Sequence, residues 1–103
     1  MQFIVTGLDG TDPGALDRRM AARPAHLEQF ARLQAEGKFL FAAAMLDDHE
    51  KMVGSIVFCD FKDRQELDSW LETEPYVLGN VWQDVDVKPC KIVPSCLPTA
   101  KQS

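Results

Sequence analysis

One short segment of this chain carries the residue types that acid–base chemistry requires. Arg19, Arg23 and His26 lie four and three residues apart, so on a continuous helix their side chains project from one face toward a common point. Guanidinium groups bind anions, and an imidazole exchanges protons near neutral pH. The spacing therefore predicts an anion-binding or acid–base site on this helix.

Length and charge restrict the classes of partner. The 103 residues suffice for one domain with its own core, and the formal net charge of -5 argues against binding to nucleic acid or to an anionic membrane. The apolar run at residues 1–7 has no basic region before it and is too short for a signal peptide or a membrane-spanning helix. We therefore expect a cytoplasmic protein whose partners are small molecules or proteins.

The cysteines indicate reduced thiols and no metal site. Cys59, Cys90 and Cys96 are odd in number and form no Cys-x-x-Cys pair. Cys59 lies in an apolar strand pattern, which favours a small core residue over a nucleophile. His26 and His49 are far apart in the chain and show no metal-ligand spacing, so we predict no metal.

The periodicity of apolar residues predicts six elements in the order β-α-β-β-α-β. The second helix is marked by the capping pair Asp63 and Glu66 and is ended by Pro75. The other elements are predicted over residues 2–8 (strand), 15–36 (helix), 39–46 and 52–61 (two strands of a hairpin) and 81–93 (strand).

Pro24 complicates the first helix, because proline has no N–H and is best tolerated in a first turn. The helix is therefore predicted either to begin near Arg23 or to be kinked there. Gly37 is expected to end it. The apolar positions expected to face the core are Leu27, Phe30, Ala31 and Leu33.

The order of elements is that of an α+β domain of the ferredoxin-like type, a four-stranded antiparallel sheet with two helices on one face. The second and third strands are apolar on both faces; in the second, Phe39 and Phe41 lie on one face and Leu40 on the other. Two helices cover only one face, and a monomer that exposes a large apolar face is unusual. We therefore expect a homodimer, or a higher homo-oligomer, in which two sheets pack face to face.

Five short strings in the same order resemble the YCII-like family. They are Arg-Pro-Ala-His-Leu at 23–27, Gly-Lys-Phe-Leu at 37–40, Gly-Ser at 54–55, Glu-Pro-Tyr-Val at 74–77 followed by Gly79, and Val-Lys-Pro at 87–89. The resemblance covers residues 1–93 and leaves 94–103 as a C-terminal tail. It implies a dimeric ferredoxin-like α/β barrel similar to that of the muconolactone isomerases.

The resemblance also implies a function. The family is mostly uncharacterised, with a histidine–aspartate pair proposed as a general acid–base dyad, and one relative is a dehydrochlorinase that acts on a chlorinated hydroxyquinol. In this sequence the histidine matches His26, and Asp9 is the best match for the aspartate. The family's usual Asp-Pro-Tyr or Asp-Pro-Phe string is Glu74-Pro75-Tyr76 here, so Glu74 is the other candidate for the partner of His26.

These residues together support one kind of chemistry. A carboxylate bound to one ring nitrogen of His26 fixes the tautomer and leaves the other nitrogen free to move a proton. Arg19 and Arg23 would hold an anionic or enolate oxygen of the substrate, and Glu74 and Tyr76 are further candidates for substrate binding. We therefore expect an isomerase or lyase that needs no cofactor and acts on a small anionic or phenolic ring compound.

A non-catalytic role stays open. Fold alone does not separate an enzyme from a module that binds a small ligand or mediates oligomerisation. A cleft beside a free nitrogen of His26 favours an enzyme, whereas a fully buried His26 with both nitrogens bonded to protein favours a binding module.

Overall fold

The elements follow the predicted order. The computed structural model describes residues 1–97, and its strands and helices form the sequence β-α-β-β-α-β, with the second helical region divided in two. Their bounds are β1 Gln2–Asp9, α1 Ala15–Ala35, β2 Phe39–Leu46, β3 Met52–Asp60, α2 Arg64–Leu71, α3 Pro75–Leu78 and β4 Trp82–Cys90. A 3₁₀ turn follows at Pro94–Cys96, and positions 98–103 of the predicted tail lie outside the described residues.

β1 lies near the centre of a four-stranded antiparallel sheet. The strand order is β2-β3-β1-β4, so β1 pairs with both β3 and β4, and Val5 lies opposite Val57 and Val87. Phe3 and Val5 of β1 belong to the buried core, which shows that the helices cover this face of the sheet. The predicted ferredoxin-like α+β architecture is therefore confirmed.

The hydrophobic core lies between the sheet and the helices. Phe39 of β2 packs edge-to-face on Trp70 of α2 with the ring centroids 4.9 Å apart, and Phe61 stacks on the same indole at 5.8 Å. Cys59 and Leu67 are fully buried in the same cluster. Full burial of a large apolar side chain stabilises the fold by about 1.5–3 kcal/mol. The prediction that Cys59 is a core residue is therefore confirmed.

α1 runs as one helix from Ala15 to Ala35 with Pro24 inside it. Of the two alternatives for this helix, a start near Arg23 is therefore wrong. Arg19 is hydrogen-bonded to two strands of the sheet, and these contacts hold the segment before Pro24 in the same helix as the segment after it. Gly37 has a φ of 79°, the left-handed conformation that ends a helix, as predicted.

The face that α1 turns toward the sheet is largely polar. The prediction that Leu27 and Ala31 face the core is wrong, because Leu27 is 46% exposed and Ala31 is exposed as well. Phe30 and Leu33 are partly buried against the core. Burying polar groups costs free energy unless they are hydrogen-bonded, so this face depends on partners from other elements. The buried residues of α1 are Ala15, Arg19, His26 and Gln29.

The opposite face of the sheet presents apolar side chains to solvent. Phe41 of β2 and Phe58 of β3 stack there with their ring centroids 4.7 Å apart, and Phe41 is 47% exposed. The expectation that Phe39 and Phe41 share one face is therefore wrong, because the register of β2 shifts between them. Leu8 of β1 is 44% exposed on the same face. The apolar open face expected from the sequence is therefore present in the folded chain.

The three cysteines are predicted to differ in reactivity. Burial raises the pKa of the Cys59 thiol to about 12 and also raises the pKa of Cys90, whereas Cys96 is exposed. Because the thiolate is the nucleophile, we expect iodoacetamide at about pH 8 to alkylate Cys96 first and to leave Cys59 unmodified until the protein unfolds. Peptide mass spectrometry with and without urea measures the labelling. Equal modification of Cys59 and Cys96 in the folded protein would contradict this expectation.

Candidate active site

A pocket of about 190 Å³ opens between α1 and the strands β2 and β3. Arg19, Arg23 and His26 all line it, so the structure brings together the three residues whose spacing predicts a site. Tyr76 of α3 and Ser55 of β3 complete the polar lining. The space suits a single-ring compound, since a cavity of about 150 Å³ holds benzene. The apolar wall consists of Leu27, Phe30, Ala42, Ala43 and Ala44.

Glu74 is the hydrogen-bond partner of His26. Its Oε1 lies 2.6 Å from Nδ1 of the imidazole, and both side chains are buried. The imidazole also stacks on Tyr76, with the ring centroids 3.9 Å apart and the planes 12° from parallel. A hydrogen on Nδ1 then donates to the carboxylate, and Nε2 has no partner among residues 1–97. Both the tautomer and the orientation of His26 are therefore determined by α3 and the residue that caps it.

The local sequence explains why Glu74 is held firmly. It is the N-cap of α3, where Oε1 also accepts from the backbone N–H of Tyr76 at 3.2 Å, and Pro75 follows in the first turn. The glutamate therefore reaches His26 although the family string has an aspartate at this position. Glu74 is fully buried and does not line the pocket, so it contacts His26 and is out of reach of a ligand there, contrary to the predicted role in substrate binding.

One oxygen of Glu74 is left without a partner. Oε2 is buried and accepts no hydrogen bond from the described residues. A buried carboxylate oxygen in this state costs free energy, and such a group calls for an explanation such as a catalytic role. The unpartnered oxygen belongs to the same carboxyl group whose other oxygen contacts the imidazole of His26.

Asp9 is occupied by Arg19. The guanidinium nitrogen Nη1 donates to both carboxylate oxygens at 2.9 and 3.0 Å, and both side chains are almost completely buried. Burial raises the pKa of the Asp9 carboxyl, although the Arg19 hydrogen bonds act in the opposite direction. The expected hydrogen bond between Asp9 and His26 is therefore wrong, because a buried cation already holds this carboxylate.

The same arginine reaches Ser55, which the sequence analysis does not identify as a site residue. Nη2 of Arg19 donates to the Ser55 hydroxyl oxygen at 2.7 Å, and the Trp82 indole N–H donates to it at 3.2 Å. The one signal in the sequence is a small polar residue on the core-facing side of an apolar strand. Such a residue needs partners, but the strand pattern does not reveal which ones.

Arg23 and Tyr76 offer groups that a ligand can use. Arg23 is partly buried in the pocket wall and forms no salt bridge with the described residues, so its charge is available to an anion. Burial raises the pKa of the Tyr76 hydroxyl, which keeps it protonated and able to donate. The pocket therefore combines an unpaired cation, a phenol and an oriented imidazole.

Two other kinds of site are not found within residues 1–97. No group of three or more His, Cys, Asp or Glu side chains in this range is arranged to hold a metal ion. None of the helices in the described part of the chain is long and apolar enough to cross a membrane.

Fold and pocket together define a class of protein, a ferredoxin-like α+β domain with a buried histidine–carboxylate pair beside a small pocket. The chain belongs to the YCII-related domain family, whose model matches residues 1–91. Protein YciI from Escherichia coli O6:H1 is 32% identical over 99 residues, which cover 90% of this chain and 99% of the relative. An uncharacterized protein from Haemophilus influenzae is 37% identical over 99 residues, with the same two coverages of 90% and 99%.

Solved structures share the fold. The 5-chloro-2-hydroxyhydroquinone dehydrochlorinase TftG from Burkholderia phenoliruptrix AC1100, in complex with 2,5-dihydroxybenzoquinone, is similar with a TM-score of 0.76 and 25% identity, covering 88% of this chain and 94% of that protein. An antibiotic biosynthesis monooxygenase is similar with a TM-score of 0.53 and 20% identity, covering 90% of this chain and 98% of that protein. The second similarity extends to the fold alone.

Breaking the ion pair between Asp9 and Arg19 is expected to lower the stability of the fold strongly. Asp9→Asn leaves the Arg19 charge buried and unpaired, so we expect the free energy of unfolding to fall by about 3–5 kcal/mol. Arg23→Gln is the control, because Arg23 forms no salt bridge with the described residues and its replacement is expected to cost less than about 0.5 kcal/mol. Urea denaturation followed by circular dichroism measures both variants. Equal stabilities would contradict the prediction.

Proposed function

We propose that this protein is an enzyme that moves a proton on a small anionic or phenolic ring compound without a cofactor, with His26 as the general base and acid. The observation that carries the proposal is the buried 2.6 Å contact between Glu74 Oε1 and His26 Nδ1, which leaves Nε2 unpartnered on a pocket-lining residue. A general base held in this way accelerates proton transfer by roughly 10²–10⁴-fold. Glu74 serves as the group that orients the imidazole.

The charges around the pocket support an anionic or phenolic ligand. Arg23 supplies a cation that no described carboxylate neutralises, and the Tyr76 hydroxyl supplies a hydrogen-bond donor. Negative charge that develops on a ring oxygen during proton abstraction is stabilised by donors already in position. Arg19, in contrast, has its charge matched by Asp9, so its part in binding an anion is smaller than that of Arg23.

Isomerisation and elimination are the reaction classes that fit these groups. HCl is lost from the keto tautomer of a chlorinated hydroxyquinol, in which the chlorine-bearing ring carbon is sp³. Nε2 of His26 takes a ring hydroxyl proton, the O–H electrons form a second ring C=O as the ring double bond shifts, and chloride leaves with the electrons of the C–Cl bond. The product is a hydroxyquinone, and no external oxidant or reductant is consumed. In an isomerisation, His26 returns the proton to a different ring atom. The similar dehydrochlorinase is named for its action on 5-chloro-2-hydroxyhydroquinone, which makes that compound the first substrate to test.

We further propose that two copies of the chain pack through their open sheet faces. The stacked rings of Phe41 and Phe58 and the exposed side chain of Leu8 form an apolar surface on this face. Covering such a surface with a second copy removes it from water and provides the usual driving force for association. The pocket lies on the other face of the sheet, so this association leaves its polar groups in place.

A cytoplasmic location fits the same proposal. The three cysteines are free thiols, as is usual in a reducing compartment. The net charge of -5 also makes electrostatic binding to nucleic acid or to an anionic membrane unfavourable.

Chloride release from 5-chloro-2-hydroxyhydroquinone tests the acid–base role. We expect His26→Gln and Glu74→Gln to lower the rate by about 100-fold or more, because the first removes the base and the second removes the carboxylate that orients it. Ion chromatography measures the chloride, and isothermal titration calorimetry measures the binding of 2,5-dihydroxybenzoquinone separately.

His49→Gln is the matched control, since it removes the other histidine of the chain from an exposed turn and is expected to keep the wild-type rate. Undiminished turnover by His26→Gln would contradict the proposal. A wild-type protein that binds the quinone but neither releases chloride nor rearranges the ring would instead support a non-catalytic ligand-binding module.

The proposed dimer is tested by placing a charge on the open face. We expect wild-type protein to have twice the 11.6 kDa mass of one chain in solution and Phe41→Glu to have the mass of one chain. Leu78→Glu is the control, because Leu78 is 70% exposed but belongs to α3. Light scattering after size-exclusion chromatography measures the masses. A dimer that persists in Phe41→Glu would speak against this interface.

A further inference from the structure

Ser55 has an unusual set of hydrogen bonds. Its side chain is 3% exposed, yet the residue lines the pocket. The hydroxyl oxygen receives one hydrogen bond from Arg19 Nη2 at 2.7 Å and another from Trp82 Nε1 at 3.2 Å. Guanidinium and indole N–H groups are donors only, so in both contacts Ser55 is the acceptor.

The Ser55 hydroxyl proton therefore has no hydrogen-bond acceptor among residues 1–97. A serine hydroxyl accepts two hydrogen bonds and donates one, and both acceptor positions are filled. No residue of the described range accepts a hydrogen bond from Ser55. We infer that the Ser55 hydroxyl is a ligand-binding donor whose proton is directed into the pocket, toward an acceptor oxygen on the bound ring compound.

The buried ion pair strengthens this donor. Asp9 holds Arg19, and Arg19 donates to Ser55 through a charged group, so the three residues form a connected chain that ends at the pocket. A hydrogen bond from a cation polarises the hydroxyl that accepts it and makes its proton a better donor. Asp9 and Arg19 therefore have a positioning role, since they act on the ligand through Ser55.

The inference rests on the proposed function and narrows its ligand class. A phenolate, an enolate or a ring carbonyl presents an acceptor oxygen and satisfies Ser55, whereas an ammonium group at the same place has only donors and does not satisfy it. Ser55 and His26 line one small pocket, so a single ring can place one oxygen at Ser55 and its exchanging proton at His26. Ser55 then acts together with Arg23 and Tyr76 in stabilising the negative charge that proton removal by His26 creates.

Binding of 2,5-dihydroxybenzoquinone, measured by isothermal titration calorimetry, tests the inference. We expect Ser55→Ala to weaken binding about tenfold or more, the effect of one hydrogen bond to a charged oxygen. Val57→Ala is the matched control, because Val57 is a fully buried residue on the same face of β3 and does not line the pocket. Val57→Ala reduces the packing of the same strand and leaves the Ser55 hydroxyl intact. Its affinity for 2,5-dihydroxybenzoquinone is therefore expected to stay within about twofold of wild type.

A second pair of variants covers the case in which Ser55→Ala does not fold. The side chains introduced by Ser55→Thr and Ser55→Val have the same shape and differ only in the hydroxyl. We therefore expect Ser55→Thr to bind 2,5-dihydroxybenzoquinone at least about tenfold more tightly than Ser55→Val. Infrared difference spectra report the C=O stretching frequency of the bound quinone, which changes with a hydrogen bond to the ligand and not with a loss of protein stability. The C=O stretch is expected at lower frequency in wild type and Ser55→Thr than in the variants without a hydroxyl.

The outcomes separate the two proposals. Unchanged affinity and C=O frequency in Ser55→Ala, or equal weakening in Val57→Ala, would overturn the role of Ser55 and leave the His26 proposal intact. A wild-type protein with no affinity for the quinone would overturn the proposed ligand class and the role of Ser55 with it. Weaker binding confined to the variants without a hydroxyl, together with the shifted C=O stretch, would support the inference.

Discussion

The buried ion pair between Arg19 and Asp9 determines how α1 lies on the sheet. A guanidinium can be buried there because Asp9 matches its charge and Ser55 accepts a second hydrogen bond. With Arg19 held in place, His26 and Gln29 on the same face of the helix also meet hydrogen-bond partners around α2 and α3. Arg19, His26 and Gln29 together fix which face of α1 is turned toward the sheet. The pocket forms beside them as a consequence of that orientation.

Two acidic residues near the pocket have separate tasks because their surroundings differ. Asp9 faces the Arg19 guanidinium, a group that is charged at any physiological pH, and both of its carboxylate oxygens are bonded in this ion pair. Glu74 faces the imidazole of His26, and its other oxygen has no partner among the described residues. Asp9 is therefore held in a buried ion pair, whereas Glu74 orients a ring that lines the pocket.

Much of the fold could be predicted from the sequence because the periodicity of apolar residues is a local property. The convergence of Arg19, Arg23 and His26 was predictable for the same reason. The partner of His26 was not, since the choice between Asp9 and Glu74 depends on which carboxylate another cation has already taken, and that is decided by contacts between residues distant in the chain. Those contacts also turn the polar face of α1 toward the sheet and leave Leu27 and Ala31 exposed. Helical periodicity alone therefore assigned the wrong face of the helix to the core.

The wall of the pocket that β2 contributes consists of methyl groups. Ala42 and Ala44 carry no functional group, and they lie on a different element from the imidazole and the guanidinium groups. A larger side chain at either position would remove pocket volume without altering the imidazole or the guanidinium groups. The dimensions of the pocket and the polar groups that line it are therefore encoded in separate parts of the chain, and the size of the pocket can change during evolution through one edge strand while its polar groups stay the same.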